Sequence, residues 1–207
     1  MSKAVMMSIQ PKWCELIANG QKTIEVRKTK PKLETPFKAY IYCTKGKEIL
    51  ATSRYFDNTA FLWYKSDVDS YNSDMVGNGK VIGEFVCDKV FDIYKFSGSR
   101  FWLNETLVKA TCLTEKEIND YGKGKDIFGW HISNLVIYDK PKELSEFYRL
   151  GKPLICDGRN CENCNHLKYM QVNSDEWDYD CDCQHQLENR ITLKRPPQSW
   201  CYVEESK

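Results

Sequence analysis

The densest set of groups able to do chemistry is Gly20-Gln21-Lys22-Thr23-Ile24-Glu25-Val26-Arg27, where an ammonium, a carboxylate and a guanidinium sit close together. Lys22 and Arg27 can neutralise phosphate; Glu25 can accept hydrogen bonds from a base edge, orient Arg27, or serve as a general base on water. A second set lies far downstream: Cys156, Cys161, Cys164, Cys181 and Cys183, spaced C-x4-C-x2-C-x16-C-x-C, with His166 and His185 alongside. The C-x2-C knuckle turns two thiolates onto one ion and a later cysteine pair follows a loop, the logic of a closed tetrahedral zinc site that stabilises and does not react. Five cysteines compete for about four positions, so four of the five are expected to hold the metal. The competing readings are unbound thiols and an iron–sulfur cluster; thiolate softness and the absence of any other electron-transfer signal favour zinc.

A helix-to-strand junction must position the first set. Gln10 to Asn19 reads as a short helix, with Pro11 suited to the first helical position and Trp13, Leu16 and Ile17 on one face. Gly20 ends it, because glycine tolerates the left-handed conformation that closes a helix. From Thr23 the apolar period becomes two: Ile24 and Val26 pack, and Thr23, Glu25 and Arg27 face the other way. Lys28 to Lys32, with Pro31, is a basic extended connection.

Further strands are expected over residues 3 to 9, from Phe37 through Cys43, at Trp130 to Tyr138 and at Trp200 to Val203. Another runs from Gly79 toward Ile93, with Val81, Gly83 and Phe85 on one face and Ile82, Glu84 and Val86 on the other; its glycines mark bends or close backbone approach. Thr114 to Glu117 is a capping box that opens a helix through Tyr121. Residues 51 to 79 read as an irregular excursion or a short helix at Thr59 to Tyr64, and Leu144 to Tyr148 as a helical turn. Short strands with helices at the connections give an α+β class with a curved or closed sheet.

The pattern G-x-K-x-x-E-x-R after a short amphipathic helix is accompanied by Ser8-Ile9-Gln10-Pro11-Lys12, Ala39 to Thr44, Gly79 to Phe85, Tyr121-Gly122, and Phe128-Gly129-Trp130-His131-Ile132. In that order these segments resemble the ASCH domain, in a bacterial or phage form, from about Val5 to Phe147 and again from Lys194. The resemblance implies a small PUA-like β-barrel with flanking short helices, related to domains that bind RNA. It does not cover the cysteines, which are expected to form a zinc-stabilised insert at about 151–192 within a single domain spanning 1–207.

The function so implied is binding of RNA or a nucleotide-like ligand in a pocket walled by Lys22, Glu25 and Arg27, with Trp130 available to stack a base and His131 beside it. The alternative is a hydrolase on the same site. One branch of the family resembles amidohydrolases acting on acylated cytidine through a lysine, a threonine three residues later and a glutamate from a later strand. Lys22 matches that lysine and Glu84 that glutamate, but Glu25 stands where the threonine belongs, so Lys22, Glu25 and Glu84 would work with a carboxylate as base. Ribonuclease activity is the other hydrolytic option. The purely structural reading of Lys22, Glu25 and Arg27 is a salt-bridge network that pins the helix to the sheet.

Composition agrees with a nucleic-acid partner only locally. The formal charge is +1, but residues 1 to 47 carry ten Lys/Arg against three Asp/Glu, so positive charge gathers in the N-terminal third. The insert is acidic, a poor nucleic-acid finger. Ala4 to Ile9 is too short an apolar run for a secretory signal, and no run of about 18 apolar residues could span a bilayer. A soluble cytoplasmic protein is expected, with scattered cysteines as small core residues.

Overall fold

The computed structural model describes residues 2–47, 49–54, 60–65, 76–97, 100–150, 154–155, 186–187 and 190–205. Cys156, Cys161, Cys164, Cys181 and Cys183 therefore lie outside the described residues, as do His166 and His185. In chain order the elements begin with β1 (Lys3–Ile9), α1 (Pro11–Ala18), β2 (Ile24–Arg27), β3 (Phe37–Cys43), β4 (Ile49–Arg54) and β5 (Ala60–Lys65). There follow β6 (Val81–Cys87), β7 (Val90–Ser97), β8 (Arg100–Leu103), α2 (Glu105–Thr111), α3 (Glu115–Gly122), β9 (Ile127–His131) and β10 (Ser133–Lys142). Last come β11 (Tyr148–Leu150), β12 (Leu154–Ile155), β13 (Gln186–Leu187), β14 (Arg190–Thr192) and β15 (Trp200–Glu204).

Two sheets carry the architecture. One has the order β10-β6-β3-β1-β15, the other β2-β9-β7-β8. Within the first, β1 and β3 run parallel and every other neighbouring pair is antiparallel. The expected mixed α+β class holds. The expected closed barrel does not: among the described strands, hydrogen bonding leaves β10 and β15 as edges of one sheet and β2 and β8 as edges of the other.

The reason lies at a corner. β6 and β7 are one path bent at Asp88-Lys89, and β9 and β10 are another bent at Ile132, so an antiparallel pair crosses from the first sheet into the second. His131 N donates to the Lys89 carbonyl at 2.9 Å across the bend, and Ser133 Oγ donates to the Val86 carbonyl at 2.8 Å. Strands that switch sheets through a bend make an angular packing of two sheets instead of continuous closure. The strand read from Trp130 to Tyr138 is thus two strands, divided before Asn134, whose φ is 46°.

Both sheets are covered on both sides. Between them lies the largest core, with Val5, Met7, Ile41, Phe85 and Trp130, sealed on one side by Cys14 and Ile17 of α1. The outer face of the first sheet packs Met6 and Tyr40 under Leu144, Phe147 and Leu193. The outer face of the second packs Ile24, Val26 and Ile127 under α2 and α3, chiefly Leu107 and Ile118. Each such large apolar side chain, once removed from water, contributes roughly 1.5–3 kcal/mol.

Helix ends follow their signals. Gln10 and Pro11 open α1, and Gly20 at φ 70° lets Gln21 N and Lys22 N both donate to the Leu16 carbonyl at 2.9 Å before the chain turns into β2. The Thr114–Glu117 capping box is complete at the start of α3. Residues 60 to 65 form β5 and not a helix, paired with β4 from Arg54↔Ala60 to Ile49↔Lys65; a run of aromatic residues prefers the pleated surface. The helix α2 carries no expectation from the sequence, although Asn104 caps it through Leu107 N at 3.3 Å. The segment 156–185 leaves and re-enters through paired strands, Ile155↔Gln186 and Leu154↔Leu187.

Gly83 marks the closest approach of two strands. A Cβ built there would stand 2.4 Å from the Val136 carbonyl oxygen and 3.1 Å from Ile137 Cδ1, both on β10. Gly83→Ala should therefore force β10 off β6 and destabilise the protein by about 2 kcal/mol, within the range for overpacking. Thermal or urea unfolding checks this, and a variant as stable as the parent would show that β10 is not tightly seated.

Candidate functional site

β2 presents charge on the face that looks between the sheets. Its neighbour is β9, with Glu25 opposite Trp130 and Arg27 opposite Phe128. Sequence alone had Glu25 and Arg27 turned toward solvent, but Lys22, Glu25 and Arg27 are only 2%, 6% and 7% exposed. α1, the end of α2, the end of β1 and the C-terminal segment close over them.

The three groups form one network. Glu25 Oε2 lies 3.5 Å from Lys22 Nζ and Glu25 Oε1 lies 3.0 Å from Arg27 Nη2. Lys22 Nζ also donates to the Thr111 carbonyl at 2.7 Å, where an ammonium suits the C-terminus of α2, and it stands 5.4 Å from the centre of the Trp13 ring. Arg27 Nη2 donates to the Ser8 carbonyl at 2.8 Å, and Nη1 reaches Ser199 Oγ at 3.4 Å. Arg27 Nε has no hydrogen-bond partner among the described residues.

This network is the floor of a cavity of about 480 Å³. Ser8, Gln10, Thr44 and Ser199 supply neutral polar groups to its wall, while Trp13 and Tyr121 supply the aromatic surface. Burial pushes the Tyr121 phenol up, with Glu25 adding to the effect and Arg27 opposing it, so the hydroxyl remains a donor at neutral pH. Beneath the floor the Cys14 thiol is also pushed well up, first by burial and then by its Cys43 neighbour. Cys14, Cys43 and Cys87 are buried free thiols, as expected of small core residues.

The other candidate residues lie apart from Lys22, Glu25 and Arg27. Glu84 pairs in register with Tyr40 on the outer face of the first sheet, where Tyr138 Oη donates to it at 2.5 Å and Lys38 Nζ lies at 3.0 Å. Which face of β6 turns inward is set by the corner at Asp88, and Phe85 takes that face. Trp130 is wholly buried, with Phe37 at 5.4 Å and Trp200 at 5.8 Å between ring centroids, so it fills core and offers no face to a base. His131 is partly exposed at the strand corner, its Nδ1 2.6 Å from Asp88 Oδ1. It helps hold the bend and does not line the cavity.

Sequence reasoning gave no role to Trp13, Thr44, Tyr121 or Ser199. Trp13 was read only as the apolar stripe of α1, and Tyr121 only as the end of a helix. Their shared feature, convergence on one cavity from four distant segments, has no local signature. Among the described residues no group of three or more His, Cys, Asp and Glu side chains is placed to hold a metal ion, and no helix is long and apolar enough to cross a membrane.

The Glu84 cluster makes a pH prediction. Partial burial pushes its carboxyl up, but hydrogen bonds from Tyr138 and Lys38 outweigh this and hold it below the ordinary carboxylate range. A depressed carboxyl stabilises the fold above its unfolded pKa, and that contribution is lost as pH falls through the folded value. Tyr138→Phe should therefore be less stable than the parent at pH 7, with the gap narrowing as pH drops through about 4. Unfolding curves over that range check it; parallel curves would remove Tyr138 as the cause.

The comparisons with known proteins come to bear on this geometry. No curated protein matches the chain by sequence. A crystal structure of ASCH from Zymomonas mobilis is similar at 15% identity, covering 98% of this chain and 88% of that one with a TM-score of 0.48. Structures of two mutants of the Zymomonas mobilis protein are similar at 16% identity, covering 99% and 98% of this chain and 92% and 89% of theirs, with TM-scores of 0.44 and 0.43. The sequence model of the ASCH domain matches residues 7–129, more than half of the chain, from within β1 into β9 and across the whole of the Lys22, Glu25 and Arg27 network, and the chain belongs to that family.

Proposed function

We propose that the cavity above Lys22, Glu25 and Arg27 binds one nucleotide unit of single-stranded RNA. The observation that carries this reading is the buried network itself, at the floor of a cavity whose volume of about 480 Å³ falls within the range of small-molecule sites. Arg27 reaches the cavity with Nε unpartnered, and a buried donor without an acceptor costs roughly 1–3 kcal/mol. An acceptor on the ligand would recover that cost. Glu25 accepts from a base edge, and Trp13 and Tyr121 take the stacking role that Trp130 cannot.

The surroundings support a polyanion. Lys12 lies over Trp13 at 4.6 Å, Lys28 over Tyr121 at 4.7 Å and Lys30 over Phe128 at 5.2 Å, so cations flank the aromatic walls. ASCH domains resemble RNA-binding PUA domains, which points the same way. The hydrolytic reading loses support from the geometry. Its third member, Glu84, belongs to the opposite face of the first sheet, and both oxygens of Glu25 are already engaged by cations.

Glu25→Gln separates the two readings. With a binding site, the amide keeps the shape and part of the hydrogen bonding, so affinity for single-stranded RNA falls modestly and neither protein yields product from RNA or acylated cytidine. With a hydrolase, turnover drops about 100-fold or more while the ligand still binds. Binding and product are to be measured together, with folding monitored by circular dichroism because the substitution leaves Lys22 and Arg27 uncompensated. Product from the parent alone would overturn the binding reading.

A structural zinc completes the proposal, held by four of Cys156, Cys161, Cys164, Cys181 and Cys183. Its support is the cysteine spacing alone. Elemental analysis should find about one zinc per chain, and chelation should increase proteolysis within residues 151 to 190 more than in the sheets. Iron, or five titratable thiols without metal, would refute it.

A further inference from the structure

We infer that a second cavity beside the first holds the phosphodiester that joins the bound nucleotide to its neighbour, so that the ligand is a strand and not a free nucleoside. This rests on the nucleotide reading of the first cavity. The second cavity measures about 420 Å³ and shares Ser8, Thr44 and Gln198 with the first as a common wall. The two rooms are therefore adjacent along one path over the end of β1.

Their charges differ in the way a nucleotide repeat requires. Around the first, Lys22 and Arg27 are balanced by Glu25 and Glu117, so the room is charge-balanced and suits an uncharged base and ribose. The second is lined by Lys45 and Lys194 and by no carboxylate. Glu143, whose charge is felt at Tyr42 in that lining, is held by Lys80 at 3.5 Å. Two ammonium groups without a local counter-charge call for an anion of about the charge of a phosphodiester.

Both lysines stand on fixed backbone. The turn beneath Lys45 is tied to β3, with Gly79 N donating to the Cys43 carbonyl at 2.8 Å and Cys43 N donating to the Lys80 carbonyl at 2.9 Å. The Lys45 stem lies directly over Gly79, so close that a Cβ there would come within 3.0 Å of Lys45 Cε. On the other side, Leu193 N donates to the Phe147 carbonyl at 2.9 Å. Ser8 Oγ donates to the Pro197 carbonyl at 2.6 Å, and these two bonds set the course of the segment that carries Lys194. The same Ser8 offers its carbonyl to Arg27, so the wall between the rooms is anchored to the floor of the first.

The test uses Lys45→Ala/Lys194→Ala, Glu25→Gln and the parent, each titrated with the four ribonucleosides by ligand-observed NMR and with homotetraribonucleotides at several salt concentrations. The double variant should bind nucleosides within twofold of the parent and tetranucleotides at least tenfold more weakly. Its plot of log affinity against log salt should be shallower by about 1.4 if two phosphate contacts are lost, at about 0.7 per contact for single strands. Glu25→Gln should weaken nucleosides and tetranucleotides alike. Tetranucleotide affinity and salt slope unchanged in the double variant would overturn the second subsite and leave the nucleotide pocket standing. A parent that binds neither nucleosides nor tetranucleotides would overturn both.

Discussion

Burial of three charged side chains in one network is the constraint on which the arrangement depends. An ion taken out of water loses several kcal/mol of hydration, and removing one partner of a buried pair costs roughly 3–5 kcal/mol. Glu25 meets this by offering one oxygen to each cation, but the triad retains a net positive charge, so backbone dipoles must supply the rest. The Thr111 carbonyl at the end of α2 serves Lys22 and the Ser8 carbonyl at the end of β1 serves Arg27. Because those carbonyls belong to elements 89 and 19 residues away in sequence, the network fixes a helix end, a strand end and β2 relative to one another. A well-packed apolar replacement would often be as stable as a buried ion network. Stability alone therefore does not account for these residues, whereas a cavity that needs fixed donors and an acceptor at its floor does.

What was legible in the sequence was local. The α1 to β2 junction could be read because Pro11, the apolar stripe and Gly20 each act through backbone geometry within a few residues, and the Thr114 capping box for the same reason. The charged residues of β2 could be assigned to one face by alternation. Alternation could not say whether that face meets solvent or another sheet, and here it meets the inter-sheet space. Glu84 shows the same limit. Its face of β6 was known relative to Phe85, but the identity of the inward face depends on the bend at Asp88-Lys89, which is stabilised by hydrogen bonds to His131 and Ser133 from more than forty residues away.

Aromatic residues were misread for a related reason. Trp130 and Trp13 are equally suited by chemistry to stack on a base, and only tertiary packing decides between them. Trp130 stands opposite Glu25 on a central strand and is enclosed by Phe37 and Trp200. Trp13 stands on a short helix at the margin and keeps a face toward the cavity. In β5 the aromatic run suited either a strand or a helix by periodicity, and pairing with β4 settled it.

The position of the cavity follows from how the space between the sheets is filled. Around Trp130 the filling is aromatic and aliphatic, and the sheets pack without a gap. One step along the same face of β2 the side chains become Glu25 and Arg27, whose charged ends must reach specific carbonyls and hydroxyls and so cannot spread to fill volume as a ring does. The filling gives way to a floor of fixed polar atoms, and Ser8, Thr44 and Ser199 line the space left above it. The bend between the sheets increases this effect, because edges that are not hydrogen-bonded to one another can diverge, whereas a closed barrel would draw them together. The same corner that prevents closure of the strands thus leaves room for a ligand at the end of β1, and the network that buries charge there gives that room its chemistry.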